Sequence, residues 1–317
     1  MGPVEAPQDE LAALLDERAF LRPSLRAIRV TGADASDWLH DLVTADIVSL
    51  APGRARRSLL LTPTGRIRAD VTVVRDGEGL LVLQDERQPG RIEALLDPYV
   101  LSSDVQLRDA SDETAAFSCP ADAPMVASTV FAPAAAGPGI GALVPRDAAS
   151  SFAATLVGAN LTEAGPQALE AWRILQGTPK MGADFDTDSL PAEAGLEGTI
   201  DRTKGCFLGQ ESVARVANLG HPPRTLRHLG ADGDVGPGDP VSAGGAEVGH
   251  ITGAARDLIG GVVALARVRW DVRDAELEGP NAVRLISLPP PNYPERVISG
   301  PATGRFAIAC LRPLPLA

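Results

Sequence analysis

Past Pro222-Pro223 the chain changes texture, and that change limits its possible folds more than any other feature. Downstream lies a series of short β-type runs: Thr225 to Leu229, Asp239 to Ser242, Glu247 to Thr252, Gly261 to Val268 and Ala282 to Leu288. Turn residues separate them, and none shows helical spacing. Short strands at close intervals bury a common face only by closing on themselves or stacking, so residues 223–288 are expected to form a small β-barrel or sandwich. Pro289-Pro290-Pro291 opens an extended tail, 289–317.

The upstream chain reads as mixed units. Leu25 to Val30 alternates as a half-buried strand and Thr31-Gly32 turns. Asp34 opens a helix with Trp38, Leu39, Leu42 and Val43 on one face, an acid being favourable at the positive end of the helix dipole. Ser58 to Leu61, the turn Thr62-Pro63-Thr64-Gly65, Ile67 to Val74 and Leu80 to Leu83 predict an antiparallel meander. A helix is expected from Pro89 to Tyr99, and a strand from Asp104 to Arg108. The Pro-, Ala- and Gly-rich stretch 118–141 reads as a connector. A second unit holds a short strand and helices near Ala148 to Val157 and Pro166 to Gln176. The fold class is therefore α+β, with an N-terminal arm (1–24), a body (25–222) in two pieces, 25–117 and 140–222, and the C-terminal β-structure. Residues 178–204 lack periodicity, and a loop of that length in a compact unit is usually functional or disordered.

Charge and sulfur chemistry narrow the function. The formal net charge of −12 argues against a nucleic-acid surface, because such affinity is carried by clustered Lys and Arg. Arg54, Arg56, Arg57, Arg66 and Arg68 are the exception: either a local basic patch beside a pocket or a solvated strand face. Cys119, Cys206 and Cys310, and likewise His40, His221, His228 and His250, lack metal-ligand spacing, so no metal site is expected. The scattered cysteines and the acidic N-terminus point to a reducing cytoplasm, and no apolar run is long enough for a membrane span.

The chemistry concentrates at Lys204-Gly205-Cys206-Phe207-Leu208-Gly209-Gln210-Glu211. Glycines on both sides of Cys206 favour a turn that presents the thiol. Lys204 and a helix beginning near Gly209 are features that stabilise a thiolate. The competing reading is a small apolar residue packed under a turn.

This octapeptide, followed by Val213-Ala214-Arg215, closely resembles the signature of the YgfZ folate-binding family, relatives of the glycine-cleavage T protein, an aminomethyltransferase. The resemblance extends to Met181-Gly182-Ala183-Asp184-Phe185, Leu190 to Leu196, Val30 to Ala35 and Leu61 to Asp70, and covers roughly Leu25 to Leu288. It implies a T-protein-like intertwined α+β body around a central folate cleft, plus a C-terminal β-barrel. The implied role is a tetrahydrofolate-binding accessory protein (tetrahydrofolate or a one-carbon derivative) that supports iron–sulfur cluster assembly or repair, including an enzyme that thiolates tRNA. Its partners would be folate and iron–sulfur proteins or assembly factors, with no direct nucleic-acid or membrane binding.

By position, Cys206 and Lys204 carry the implied chemistry, while Asp70, Glu193, Gln210, Glu211 and Arg215 belong to folate binding. Arg215 is placed to pair with Glu211 one helical turn away or to reach a folate glutamate tail. One departure is plain. Where T-protein relatives carry Arg-hydrophobic-Glu-Ala-Gly, this chain has Arg173-Ile174-Leu175-Gln176-Gly177. Leu175 cannot accept the pterin N–H groups that a Glu would, which shifts that recognition to Gln176, Glu193 or backbone groups. The alternatives to an accessory role are a folate-dependent aminomethyl- or methyltransferase, or a non-catalytic scaffold.

Overall fold

Consecutive apolar residues along the central strands place a buried side chain on each face of the central sheet. In the computed structural model, which describes residues 2–288 apart from 78, 102 and 125–128, the chain runs α1 (Gln8–Leu15), β1 (Ala19–Phe20), β2 (Leu25–Thr31), α2 (Ala35–Leu42), β3 (Arg54–Leu61), β4 (Ile67–Arg75), β5 (Leu80–Asp85), α3 (Ile92–Leu96) and β6 (Gln106–Asp109). Strands β3-β4-β5-β2-β6 form one antiparallel five-stranded sheet. Val71, Val73, Leu80 and Val82 pack on one face with Trp38, Leu39 and Ile92, while Val74, Leu81 and Leu83 pack on the other. Successive side chains alternate between the faces, so both are buried.

The second half of the body continues through β7 (Thr114–Cys119), β8 (Thr129–Phe131), β9 (Ile140–Pro145), α4 (Ala149–Gly158), β10 (Thr162–Glu163), α5 (Pro166–Leu175) and α6 (Gln210–Leu219). Strands β7-β9-β8 form a three-stranded sheet. The expected connector 118–141 is therefore corrected in part: it supplies β8 and the ends of β7 and β9. Phe131 within it, buried against Ala55, Val74 and Leu143, is the apolar anchor that joins the two sheets. The helix expected from Pro89 to Tyr99 shortens to α3 and a 3-10 turn, Asp97–Tyr99, because Pro98 cannot continue the backbone ladder.

The last unit is β11 (Arg224–Ala231), β12 (Pro240–Ala243), β13 (Ala246–Arg256), β14 (Val262–Arg269), β15 (Leu277–Glu278) and β16 (Arg284–Ser287), closed in the order β11-β14-β13-β12-β15-β16. Closure leaves no free sheet edge around the core of Val241, Ile251, Ala264, Ala266 and Val268. The tail 289–317, with Cys310, lies outside the described residues.

The N-terminal 24 residues are not a separate arm. Leu11 and Leu14 of α1 are buried with Ala168, Ala171 and Ile174 of α5 and with Val263 and Leu265 of the barrel. Amphipathic spacing, not a linker, governs this segment.

Body and barrel are joined by a buried polar network. Arg173 on α5 donates to both oxygens of Glu170, to Thr178 O at 3.2 Å and to Asp184 Oδ2 at 2.7 Å. Asp184 also accepts from Lys180 N at 2.9 Å and, through Oδ1, from Thr252 Oγ1 of β13 at 2.5 Å. Burial works against the Arg173 charge, but Glu170 and Asp184 outweigh it and leave its pKa raised. Asp184→Ala removes one acceptor from a buried cation, orphans the Lys180 amide and leaves the Thr252 hydroxyl only Leu265 O. It is expected to cost about 3–5 kcal/mol, read as a lowered urea midpoint; an unchanged midpoint would show that the network is dispensable.

Candidate functional site

The turn before α6 is built by two glycines that meet. Gly209 has φ +84°, and a Cβ there would lie 2.5 Å from Thr62 O and 3.3 Å from Gly65 Cα. Gly65, φ +75°, faces α6, with Ser212 Cβ 2.7 Å from where its own Cβ would stand. Only glycine satisfies both the left-handed backbone and this approach. The Thr62-Pro63-Thr64-Gly65 hairpin turn thereby seats the start of α6, and Ser212 Oγ donates to Pro63 O at 3.3 Å. Gly205 has neither a positive φ nor a close neighbour, so its expected conformational role is not seen.

Phe207 roots the turn in the body: it is buried with Leu59, Leu61, Ile67, Met181, Phe185 and Ala194. Leu208 N donates to Asp41 O at 3.1 Å, and the Asp201 carboxylate accepts from Thr203 N, Thr203 Oγ1 and Lys204 N. With its neighbours held in this way, Cys206 is exposed. Cys119, by contrast, is buried beside Phe117 and Phe152, and desolvation pushes its thiol up to about 12.

Lys204 reaches towards the end of α2. Its ammonium donates to the backbone carbonyls of His40, Val43 (2.7 Å) and Ala45 (3.0 Å), and lies 5.4 Å from the Phe207 ring centroid. These carbonyls belong to the end of α2 and the residues after it, where acceptors lack intrahelical donors and a cation is favoured. Burial pushes the Lys204 pKa down to about 8, against the opposing pull of Asp41, Asp46 and Asp201.

The expected folate residues fall into separate settings. Asp70 on β4 is held by a bidentate fork from Arg57, Nε at 2.9 Å and Nη2 at 2.6 Å; the same Nη2 donates to Pro179 O at 2.8 Å. The Gln88 amide bonds both the N–H and the C=O of Asp70, at 3.0 and 2.7 Å. Glu193 is buried and accepts from Leu190 N at 2.9 Å, with Arg267 Nη2 3.7 Å away. Gln210 is half-buried at the first turn of α6; Glu211 and Arg215 are exposed, and no ion pair joins them among the described residues. Leu175 is half-buried against the α1–α5 apolar cluster, whereas Gln176 is exposed at the end of α5. Of the arginine run, Arg56 donates to Asp46 O and Arg66 to Asp188 O, so these side chains and Arg57 tie loops to the sheet edge; they do not form one solvated face.

Gln88 and Lys180 were not visible in the sequence as site residues, and Arg57 was visible only as one of five arginines without a partner assigned. The register of the β3–β4 hairpin, with Leu59 opposite Asp70 and Arg57 opposite Thr72, contains the signal for Arg57, since diagonal cross-strand neighbours reach each other. A cleft runs beside α6, lined by Pro191, Glu197, Ile200, Arg202, Val213 and Val216. It ends at His221, whose ring stacks on Trp270 with centroids 5.6 Å apart. No cluster of metal-ligating side chains occurs among the described residues, and no helix there is long and apolar enough to cross a membrane.

The comparisons agree with this architecture. The GCVT N-terminal domain family matches residues 20–120. A mitochondrial iron–sulfur cluster assembly factor IBA57 homolog of Pyricularia oryzae is 30% identical over 215 residues, covering 62% of this chain and 53% of that protein. An aminomethyltransferase of Streptomyces coelicolor is 28% identical over 281 residues, covering 76% of this chain and 75% of that protein. The chain thus spans about half the length of the fungal relative. The crystal structure of the glycine cleavage system aminomethyltransferase T from Bartonella henselae superimposes with a TM-score of 0.76 at 21% identity, covering 89% of each chain. The chain therefore has the fold of a glycine-cleavage aminomethyltransferase, and its residues 20–120 are similar to the GCVT N-terminal domain family.

Two outcomes are expected. Gly209→Ala forces a Cβ onto Thr62 O at a left-handed backbone and should cost about 1–3 kcal/mol, measured by chemical unfolding; a smaller loss would mean that the two turns separate easily. Lys204 should titrate with a midpoint near 8, followed by the 13C shift of its Cε against that of Lys180, the only other lysine. Its native pKa lies below the unfolded value of 10.5, so the native state sheds the proton first. The cost of burying the charge is fully present below about pH 8 and is relieved as pH rises towards 10.5. A midpoint above 10 would contradict the burial.

Proposed function

We propose that this chain is a tetrahydrofolate-binding accessory protein that supports iron–sulfur cluster assembly or repair, with Cys206 as its working thiol. The observation that carries the reading is the exposed Cys206 on a turn locked to the body through Gly65 and Gly209. A thiol held in the open beside a helix start is a nucleophile and metal ligand once deprotonated, whereas a buried one such as Cys119 is neither. Further support comes from the fungal relative, whose name is that of an iron–sulfur cluster assembly factor, and from the YgfZ-like signature at 204–211. Under this reading the partners are iron–sulfur proteins or their assembly factors, among them an enzyme that thiolates tRNA, and the chain works in the cytoplasm.

Two groups support folate binding under this reading: the Asp70 carboxylate, and the exposed Gln176 amide, which carries a donor and an acceptor where Leu175 has neither; Arg57 and Lys180 are engaged with Asp70 and with Glu170. Bound tetrahydrofolate would supply nitrogen atoms able to carry a one-carbon unit. This chain's own task is then to orient it: Arg57 holds the Asp70 carboxylate rigid in two parallel hydrogen bonds, and Gln88 fixes the backbone that carries it.

The second reading is a folate-dependent aminomethyltransferase, favoured by the Streptomyces relative. Leu175 speaks against it, because transfer needs a closely seated pterin. Calorimetric titration with tetrahydrofolate should show saturable binding, weakened in Asp70→Asn; no heat of binding at all would leave only a scaffold. Robust folate-dependent release of ammonia from an aminomethylated lipoyl carrier would establish the transferase instead.

Under limiting alkylation at neutral pH, Cys206 should label well before Cys119. Cys206→Ser should abolish support of iron–sulfur enzymes in cells while changing stability by about 1 kcal/mol or less. Full activity of Cys206→Ser would end the thiol reading.

A further inference from the structure

Of the 29 basic residues in this chain only Lys180 and Lys204 are lysines, the remainder being arginine. A sequence that uses arginine almost everywhere keeps lysine at 204, and the geometry gives the reason. Three carbonyl oxygens, of His40, Val43 and Ala45, converge on the Lys204 ammonium. An ammonium is a compact point charge with three rotatable donors, whereas a guanidinium is a planar fork suited to parallel acceptors. Arginine cannot bring three hydrogens to one point.

Neither is the ammonium a partner in an ion pair: no carboxylate lies within ion-pair distance of it among the described residues, and all three of its hydrogens have backbone acceptors. The turn is tied to α2 on both sides of the thiol, through Lys204 on one side and through Leu208 N to Asp41 O on the other. Gly205, unconstrained by neighbours, and exposed Cys206 form the short arc between these ties.

We infer that Lys204 is the positioning residue of Cys206: its ammonium clamps the thiol-bearing turn to the C-terminal end of α2 and acts through place, not through charge on the sulfur. The clamp deepens the proposed role of Cys206 and rests on it, but its test involves neither folate nor an iron–sulfur enzyme, so either idea can fail while the other stands.

Lys204→Arg keeps the charge and loses the point geometry; Lys204→Met keeps the stem and loses both. Each is compared with wild type by the pH profile of iodoacetamide alkylation at Cys206 and by hydrogen exchange of peptides spanning 38–46 and 203–209. Positioning predicts that both variants speed exchange in the two peptides together, by about ten-fold, and that they share one Cys206 titration midpoint. An arginine variant with wild-type exchange and midpoint, beside a methionine variant with a raised midpoint, would show electrostatic activation and overturn the clamp. So would unchanged exchange in both. Should neither variant fold, the unsubstituted protein still decides: 15Nζ spectroscopy at pH 7 should show the Lys204 ammonium hydrogens exchanging much more slowly with water than those of Lys180. Equal exchange would remove the clamp.

Discussion

A single buried carboxylate holds the two parts of this molecule in register. Asp184 receives the Arg173 guanidinium, the Lys180 amide and the Thr252 hydroxyl, and these come from helix α5, from the loop after it and from barrel strand β13. A charge removed from water is tolerated only where partners are fixed around it, so the loop must adopt the path that supplies them. That path in turn brings Met181 and Phe185 under Phe207 and sets Pro179 O against Arg57. The long segment after α5, unpatterned in sequence, is thus ordered by polar contacts at one end and an apolar cluster at the other.

The Cys206 turn lies downstream of that arrangement. Phe207 anchors it from below, the Gly65–Gly209 approach fixes it against the β3–β4 hairpin, and Lys204 fixes it against α2. Three unrelated kinds of contact, apolar burial, backbone packing and charge-assisted hydrogen bonding, converge on a stretch of eight residues. The thiol itself takes part in none of them. For the proposed thiol chemistry, such a rigid mount would spare the ordering entropy of each encounter with a partner.

Much of this was legible in the chain. The meander from Ser58 to Leu83, the helices near 149–158 and 166–175 and the short strands after Pro222-Pro223 follow from period and turn residues, because each is a local pattern; that those strands close into a barrel does not. For Cys206 the residues allowed either a presented thiol or a small side chain packed under the turn; it is exposed, with only Gly209 of its flanking glycines in a left-handed conformation. The strand β8 was not legible, since its three residues sit in a Pro-, Ala- and Gly-rich stretch and gain order only from pairing with β9. The docking of α1 was missed because its partners on α5 and in the barrel are distant in sequence.

The site divides along the same line. Sequence by itself determined that Cys206 stands on a turn before a helix, that Asp70 follows a tight hairpin and that Leu175 occupies a position without a carboxylate, because residue type and spacing settle such matters. Only the tertiary structure decided what these groups touch. It turned Lys204 towards the carbonyls of α2, gave Asp70 to Arg57 and Gln88, set Glu193 against its own loop at Leu190, and left Glu211 and Arg215 at the surface. Lys204 and Val43, hydrogen-bonded at 2.7 Å, stand 161 residues apart along the chain, and no local pattern specifies such partners.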